Sequence, residues 1–312
     1  MKFAEMKVDE KNLEYVLARS RYEFLRNTDL YPNFLRRFSV GISDPLTEAK
    51  YYEIFEDESV CASFLLVYKQ MKLDETFVKI CFLTQVIVSS ENRGQGLAHK
   101  VTQLAEEMAL RDGAGVTFVI ARRAVKDLYS KLGFVGFSHF SQIKLSHIPG
   151  VHESLKKRMY IPEEGDLANL VAMHEQAHSC MNFFLIRSEE SFKQILKLPN
   201  YKIEISEDKS FYFIRSSNEI VEIGMKRNAR AIEILGTIIF GRYESVKIHK
   251  EHEIYRLGVQ LGLQEENRFE PREGHLLKIH ENNLSPNQIL KLEVFKRNPG
   301  AQFAELLEID QW

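Results

Sequence analysis

The stretch Val86-Ile87-Val88-Ser89-Ser90-Glu91-Asn92-Arg93-Gly94-Gln95-Gly96-Leu97-Ala98 indicates the fold of this chain. A β-branched run ends in a polar turn with two glycines, and a helix-forming segment from about His99 to Leu110 follows directly. Glycine lets a backbone approach a ligand closely, and the unpaired amides and dipole at the start of a helix attract anions. The stretch therefore predicts a strand, a turn and a helix that bind a phosphate or pyrophosphate.

The spacing of the glycines excludes two common phosphate-binding loops. A Walker loop requires Gly-x-x-x-x-Gly-Lys-Ser/Thr, and a dinucleotide loop requires Gly-x-Gly-x-x-Gly, where this chain has His99. The pattern that remains, Arg93-x-x-Gly96-x-Ala98, resembles the acetyl-CoA loop of the GNAT superfamily of N-acetyltransferases. The alternative is an ordinary turn into a helix. A second segment, Leu128-Tyr129-Ser130-Lys131-Leu132-Gly133-Phe134, resembles the Tyr-x-x-x-Gly-Phe segment that follows the fifth strand in that family.

The resemblance implies an α/β (α+β) fold in which a mixed, mostly antiparallel sheet is flanked by helices. It implies that acetyl-CoA is the co-substrate, that no metal is needed, and that an acetyl group passes to an amine by direct attack. Tyr129 matches the family's general acid by position, and the alternative for it is a core tyrosine on a short helix. The residues expected to bind the cofactor are Val86, Ile87, Val88, Arg93, Gly94, Gln95, Gly96, Leu97 and Ala98.

A general base is missing from the stretch where some family members place a glutamate. The chain reads Leu83-Thr84-Gln85-Val86 there, without a carboxylate, and Glu53 and Glu91 are weaker candidates. A water relay or an amine that arrives partly neutral would have to serve. The alternative function is a CoA-binding sensor or interaction module without turnover.

Length and composition limit the class of protein. The chain has 312 residues, enough for two domains, and a net charge of −2, which gives no reason to expect a nucleic-acid or anionic-membrane partner. Cys61, Cys81 and Cys180 lie in apolar contexts and read as free buried thiols, which points to a reducing cytoplasm. No signal peptide is expected at Met1, and no apolar run approaches the ~20 residues of a membrane span.

The second half repeats the first weakly, which predicts a duplicated domain. For example, Leu261-Gly262-Leu263 resembles Leu132-Gly133-Phe134, and Arg227 ends a strand as Arg93 does. In that alignment Arg230 stands in the place of Gly96, Ile232 in the place of Ala98 and Gly258 in the place of Tyr129, so the second copy is expected to have lost its cofactor loop. The predicted organisation is an acetyltransferase domain at 1–148, a linker at 149–160, a degenerate GNAT-like domain at 161–281 and a helical tail at 282–312.

Individual elements follow from hydrophobic periodicity and turn residues. We expect a first strand over Lys2–Val8, a hairpin through Glu56-Asp57-Glu58-Ser59, a closing hairpin over Val135–Leu145 and a helix over Pro286–Lys296. The tail beyond is expected to fray, to pack as a latch or to form a homodimer contact.

Further motifs carry weaker signals. His174-Glu175-Gln176-Ala177-His178 matches the zinc-protease pattern, although chance matches to so short a pattern are expected. The segment 183–192 resembles part of the Eis-like aminoglycoside acetyltransferases, but their third domain cannot fit in the remaining chain. Basic residues 156–158 read as a solvated connector. The expected acceptor is an amine of a small molecule or a peptide. It could bind a cluster of arginines and tyrosines near the first helices, or this cluster could be an exposed helix face. The cluster consists of Arg19, Arg21, Tyr22, Tyr31, Arg36 and Arg37.

Overall fold

The fold was analysed in a computed structural model of the chain. It describes residues 2–9, 11–23, 44–73, 75–121, 126–136, 140–144, 151–179, 183–241, 243–249, 252–263, 265–269 and 275–297. These residues divide into two compact units. Unit 1 contains the described residues up to 136 together with 275–297, and unit 2 contains 140–269.

Several predictions from the sequence fall outside the described part of the chain. They concern Cys180 and the tail from residue 298 onward. The same holds for the side chains of the predicted acceptor cluster, which are Arg19, Arg21, Tyr22, Tyr31, Arg36 and Arg37.

Unit 1 is built on a mixed sheet whose strands lie in the order β1-β2-β3-β4-β5-β15-β6. These strands are β1 Lys2–Lys7, β2 Glu48–Glu56, β3 Ser59–Leu73, β4 Thr76–Val88, β5 Val116–Ile120, β6 Val135–Gly136 and β15 His275–Ile279. The helices are α1 Leu13–Glu23, α2 Leu97–Arg111, α3 Lys126–Lys131 and α8 Pro286–Arg297. The pair β4 and β5 is parallel, and the other neighbouring pairs in this order are antiparallel.

The helices of unit 1 form where the sequence provides both caps and an apolar face. Before α1, Asp9 and Asn12 accept hydrogen bonds from each other's backbone amides, at 2.9 and 3.1 Å, which closes the turn that leads into the helix. Along α2, Val101, Ala105 and Ala109 recur at a spacing of four and are buried against the sheet. The hairpin predicted through Glu56–Ser59 is also confirmed, as β2 and β3.

Unit 2 repeats this plan. Its sheet has the order β14-β7-β13-β12-β11-β10-β8. The strands of the unit are β7 Phe140–Lys144, β8 Met159–Tyr160, β9 Phe183–Leu185, β10 Tyr201–Ser206, β11 Phe211–Ser216, β12 Glu219–Met225, β13 Ser245–His249 and β14 Glu265–Phe269. Its helices are α4 Leu167–His178, α5 Glu189–Leu196, α6 Ala231–Ile239 and α7 Glu253–Gln260. Read from β8 to β14, the order matches that of unit 1 from β1 to β6, and β12 and β13 are again parallel.

The closing hairpin that the sequence predicts over Val135–Leu145 is wrong. The strand β6 pairs with β15, whereas β7 pairs with β13 and β14 in the other sheet. Each sheet therefore receives a strand from the other half of the sequence. The hydrophobic pattern of a short strand fixes its faces but not its partner, and β7 and β15 occupy equivalent positions in two similar sheets.

The compact units consequently depart from the predicted boundaries at 148 and 281. The chain leaves unit 1 after β6, and it returns to unit 1 with β15 rather than ending unit 2 there. In β15, Leu276 and Leu277 point to opposite faces of the sheet and are only 4% and 1% exposed. A strand that is buried on both faces lies inside its sheet, so unit 1 depends on residues from the C-terminal part of the sequence.

We predict that Leu277→Ala destabilises unit 1 by about 2–5 kcal/mol, because it removes a fully buried side chain from the strand between β5 and β6. The control is Leu290→Ala, whose side chain is 70% exposed. Hydrogen exchange followed by mass spectrometry should show faster exchange in β5 and β6 for the first variant and no change for the second. Faster exchange in β7 and β13 instead would contradict the strand assignment.

Candidate functional site

The glycine loop adopts the conformation that its sequence predicts. Gly94 and Gly96 have positive φ angles of 80° and 74°, in the left-handed region that other residues avoid. Gly96 is the N-cap of α2, and a short 3-10 turn over Ser90–Asn92 joins β4 to the loop. A Cβ atom built on either glycine would meet no heavy atom within 4 Å. The loop thus borders open space, and the two glycines are required by their backbone angles rather than by crowding.

The loop presents a row of backbone donors. Among the described residues, the amides of Gly94, Gln95, Gly96, Leu97 and Ala98 have no hydrogen-bond acceptor. The next amides, of His99 and Lys100, turn back to the Gly96 carbonyl at 3.1 and 3.4 Å. Successive free amides before the first turn of a 15-residue helix form an anion-binding site.

Side chains on both sides hold the loop in place. The Arg93 Nε donates to the Val88 carbonyl at 3.1 Å, which ties the loop back to the end of β4. The Asn92 side-chain Nδ2 donates to Glu56 at 2.8 Å, and the Ser89 hydroxyl donates to the Asn92 side-chain oxygen. These contacts fix the path of the backbone between the strand and α2, so the free amides are directed before any ligand binds.

The strand β4 is irregular just before the loop. Thr84 pairs with Leu65 and Ile87 pairs with Ser63, so Gln85 and Val86 together face a single residue of β3. Gln85 has a φ of 54°, as expected for a strained residue in a β-bulge. The last pair between β4 and β5 is Leu83 with Val119. The bulge therefore lies where the two parallel strands part, and the segment Val86–Val88 continues beyond the last residue pair with β5.

Tyr129 lies in a complete helix-ending motif. The Phe134 amide donates to the Tyr129 carbonyl at 3.1 Å, and the Gly133 amide donates to the Ser130 carbonyl at 3.1 Å. Gly133 has a φ of 87°, and the rings of Tyr129 and Phe134 meet edge to face at 5.7 Å. This is the Schellman arrangement, in which glycine supplies the left-handed turn and the flanking apolar residues pack together. It explains physically why the tyrosine, the glycine and the phenylalanine occur at this spacing.

The surroundings of Tyr129 keep its hydroxyl protonated. The side chain is 6% exposed and belongs to the same core cluster as Leu83, with Val86 and Leu97 packed against that cluster. Burial raises the pKa of Tyr129 to about 12. The structure thus brings the tyrosine, the bulged end of β4 and the start of α2 to one apolar cluster, and it provides a phenol with a proton to donate at neutral pH.

Comparison with known families identifies this part of the chain. Residues 47–149 match the family model described as the acetyltransferase (GNAT) domain. The chain carries a GNAT acetyltransferase domain. A comparison with curated proteins gives no match.

Solved structures resemble the two units together. A GCN5-related N-acetyltransferase from Kribbella flavida is 15% identical, with a TM-score of 0.64 over 89% of this chain and 72% of that chain. Eis1 from Mycobacterium abscessus is 10% identical, with a TM-score of 0.53 over 89% of this chain and 73% of that chain. A tandem GNAT protein from the clavulanic acid biosynthesis pathway is 9% identical, with a TM-score of 0.50 over 89% and 98%. These likenesses show the fold and confirm the predicted fold class.

No carboxylate of the GNAT domain takes the position that a general base would need on β4, where Gln85 stands in the described strand. Glu53, one of the weaker candidates, accepts a hydrogen bond from the Tyr15 hydroxyl at 2.9 Å. Glu91 lies exposed in the turn before the loop. The bulge at Gln85 was not predicted from the sequence, because no glycine or proline marks it.

Unit 2 differs from the GNAT domain of unit 1 at the equivalent loop. Arg230 is the N-cap of α6, as Gly96 is of α2, but its φ is −85° and its guanidinium pairs with Glu233 at 2.9 Å. The Schellman ending recurs after α7, where the Leu263 amide donates to the Gly258 carbonyl at 2.8 Å and Gly262 has a φ of 98°. Gly258 thus occupies the place of Tyr129, as the sequence alignment predicts, and unit 2 has no phenol there.

The two histidines of the zinc-protease pattern are committed to other partners. The His174 Nε2 lies 2.8 Å from the Leu185 carbonyl, and its Nδ1 lies 3.3 Å from Glu222. The His178 Nδ1 lies 2.7 Å from the His174 carbonyl, whereas Glu175 is exposed. Because Nε2 of His174 must donate to a carbonyl, its lone pair is not available to a metal. The described residues contain no group of three or more potential metal ligands.

A buried ionic network surrounds His174 in unit 2. The Arg187 guanidinium pairs with Glu222 at 2.7 Å, both side chains are 5% exposed or less, and the Tyr212 hydroxyl donates to the same carboxylate. Burial alone would raise the pKa of Glu222, but Arg187 and His174 outweigh it and hold this pKa well below the usual range. The network therefore keeps a charged carboxylate inside the core.

Three remaining expectations concern the surface and the thiols. Residues 156–158 line a cavity of about 720 Å³ in unit 2, and Lys157 pairs with Glu233 at 3.1 Å, so this basic run is partly neutralised. Cys61 and Cys81 are buried free thiols, as predicted. Among the described helices, none is both long enough and apolar enough to cross a membrane.

We predict that Glu222→Gln destabilises the protein by about 3–5 kcal/mol at pH 7, because Arg187 would remain buried without a counter-charge. Glu175→Gln is the control and should change stability by less than about 0.5 kcal/mol. Since the folded pKa of Glu222 is depressed, its contribution is present above about pH 4.3 and is lost as the pH falls through the folded pKa. In urea unfolding, the free energies of unfolding of the wild type and of Glu222→Gln should therefore converge as the pH falls through the folded pKa of Glu222. If the purified protein contained zinc and His178→Ala released it, the assignment of His174 and His178 to hydrogen-bonded roles without a metal would be wrong.

Proposed function

We propose that the protein is an acetyl-CoA-dependent N-acetyltransferase whose active site lies in unit 1. The observation that carries the proposal is the row of free amides from Gly94 to Ala98, which is held at the start of α2 and borders open space. The family match over 47–149 supports the same reaction class. The acceptor would be an amine of a small molecule or a peptide.

The cofactor would bind along one continuous backbone path. The amides of Gly94–Ala98 and the positive end of the α2 dipole suit a pyrophosphate, and Arg93 secures the loop through its bond to Val88. The backbone of Val86–Val88, beyond the point where β4 and β5 part, suits the pantetheine arm and could donate to the developing oxyanion. Acetyl-CoA would supply the acyl group as a thioester.

Tyr129 would act as the general acid. Its phenolic oxygen holds a proton over the whole physiological range because burial keeps its pKa at about 12. A buried donor of this kind can deliver its proton to the sulfur that leaves when the amine attacks. Its place in the core beside the end of β4 supports this role.

The amine must lose its proton without a carboxylate on β4. Gln85 cannot accept a proton near neutral pH. We therefore expect turnover to rise with pH as the fraction of neutral amine increases, up to the pKa of the acceptor. Water bonded to the strand backbone would carry the proton away.

We infer that unit 2 does not bind CoA in this way. Arg230 replaces the glycine at the helix start, has a φ of −85°, and carries a side chain that would compete with a phosphate there. Gly258 replaces the tyrosine. A structural role for unit 2 fits these replacements.

The buried free thiols Cys61 and Cys81 support a cytoplasmic location.

The competing proposal is a CoA-binding module without turnover, which the missing carboxylate on β4 favours. Both proposals require the same loop. They differ in one product, because only a transferase releases free CoA thiol in proportion to acetylated amine. A thiol assay across a panel of amines separates the two.

We predict that calorimetry finds one acetyl-CoA site per chain and that Gly96→Arg weakens binding by about 10- to 100-fold, since a bulky cation would displace one or two charge-assisted amide contacts. Gly113→Arg is the matched control. Gly113 lies at the other end of α2, has a φ of 87°, and also has no heavy atom within 4 Å of an added Cβ. Both variants carry the same backbone strain, so only a difference in binding reports on the loop.

Two results would overturn this part of the proposal. Absence of acetyl-CoA binding to the wild-type chain would exclude both the transferase and the CoA-binding module. Two sites per chain would show that Arg230 does not block unit 2.

We predict that Tyr129→Phe lowers kcat by about 100-fold while acetyl-CoA affinity is retained, because only the proton donor is lost. Tyr243→Phe serves as the control, since its hydroxyl bonds to Glu204 at 3.0 Å within unit 2. Steady-state rates measured by thiol release would test both. A kcat that Tyr129→Phe leaves unchanged at every pH would exclude this tyrosine as the acid.

A further inference from the structure

Lys278 connects three elements of unit 1. It lies on β15, its Nζ is 2.6 Å from a Glu106 carboxylate oxygen on α2, and it donates to the Leu132 carbonyl at 2.7 Å. Its ammonium also lies 5.8 Å from the centre of the Phe134 ring. The sequence offered no sign of these contacts, because β15 was predicted to close the other domain.

The Leu132 carbonyl belongs to the turn that carries Tyr129. It is the cap position of the Schellman ending of α3, where helix carbonyls lack intrahelical partners and carry partial negative charge. A cation at this end both satisfies the carbonyl and complements the helix dipole. The stem of Lys278 follows the turn closely, since a Cβ on Gly133 would lie 3.8 Å from the lysine Cε.

Glu106 holds the lysine in this position. Its side chain is 12% exposed and that of Lys278 is 29% exposed, so the pair is largely shielded from water. Burial raises the pKa of Glu106, and Lys278 opposes this shift. Because Glu106 stands on α2, the pair links the turn of Tyr129 to the same helix whose first amides form the cofactor loop.

Unit 2 provides an internal comparison. Lys278 pairs with Thr117, the second residue of β5, and Ile143 of β7 pairs with Val246, the second residue of β13. Ten residues after the helix cap, unit 1 has Glu106 within α2, whereas unit 2 has Phe240, the C-cap of the shorter helix α6. The half of the chain that has Gly258 in place of tyrosine therefore also lacks the lysine and the carboxylate at the equivalent positions.

We propose that Lys278 is a positioning residue for Tyr129, held by Glu106 and acting on the turn through the Leu132 carbonyl. Its catalytic consequence rests on the proposed function of Tyr129. Its physical effect, the fixed placement of the phenol relative to α2, does not depend on turnover.

The test compares full-length Lys278→Met, Lys278→Arg and a matched control, Lys79→Met. Lys79 makes the same kind of contacts at the far end of α2. Its Nζ lies 3.3 Å from Glu48, donates to the Asp112 carbonyl at 3.0 Å and lies 4.4 Å from the centre of the Tyr68 ring. Glu48 is 41% exposed, against 12% for Glu106, so the free energy of unfolding is measured for both variants before their Tyr129 readouts are compared.

The first readout is the carbon-13 signal of the Tyr129 ring in protein with labelled tyrosine, assigned by its loss in Tyr129→Phe. Lys278→Met should shift this signal and lower the titration midpoint of the phenol, as the turn loosens and water reaches the ring. Lys278→Arg and Lys79→Met should leave the signal near its wild-type position. An unchanged Tyr129 signal in Lys278→Met would overturn the proposal.

The second readout is turnover. Lys278→Met should lower kcat by about 10-fold, with unchanged acetyl-CoA affinity, because a displaced acid loses alignment. In a Tyr129→Phe background the same change should have no further effect. A further loss in that background would overturn action through Tyr129. If the wild-type chain turns over no amine, the proposed function fails, and the carbon-13 comparison alone then decides whether Lys278 positions the tyrosine.

Discussion

The pairing of β15 with β5 is the interaction on which unit 1 depends. Five consecutive residue pairs join the two strands, from His275 with Ile120 to Ile279 with Val116. Just beyond, the buried His280 ring lies 2.8 Å from the Thr117 hydroxyl, and its amide donates to the Gly115 carbonyl. Burial lowers the pKa of His280 to about 4, so the ring stays neutral and compatible with the core. Without this strand, β5 and the edge strand β6 would each lose a neighbour.

The helix α2 connects this sheet to the candidate site, and the polar groups at its two ends are bonded differently. Its first amides are left free at the glycine loop, whereas its last turn is enclosed by charge. Asp112 accepts bonds from Lys50 and Tyr68, each at 2.8 Å, and Lys79 donates to its carbonyl. An acid at the end of a helix opposes the dipole, and the two lysines offset this effect. Stability is concentrated at one end, so the other end can present unsatisfied donors to a ligand.

Local features of the fold and the site could be predicted from the sequence. The strand over Val116–Ile120, the left-handed glycines at 94 and 96, and the turn ending in Phe134 all follow from short-range rules about propensity and backbone angles. The bulge at Gln85 could not, because a residue with a side chain adopts a left-handed angle there only under the constraint of its neighbours. The contacts of Lys278 could not either, since they depend on which sheet receives β15.

The exchange of strands limits what sequence periodicity can reveal in a duplicated chain. The segments β7 and β15 close equivalent positions in sheets of the same order, but at matching register β15 has Leu276 and Leu277 where β7 has Ser141 and Gln142. The two strands also differ in their polar contacts. In unit 1, Lys278 pairs with Glu106 and donates to the Leu132 carbonyl. In unit 2, Ile143 has the equivalent register position. A lysine without its carboxylate and carbonyl would be costly to bury, and a carboxylate without its lysine equally so. The polar contacts that support Tyr129 therefore also favour the placement of β15 in unit 1, and the same residues link strand choice to the geometry of the candidate site.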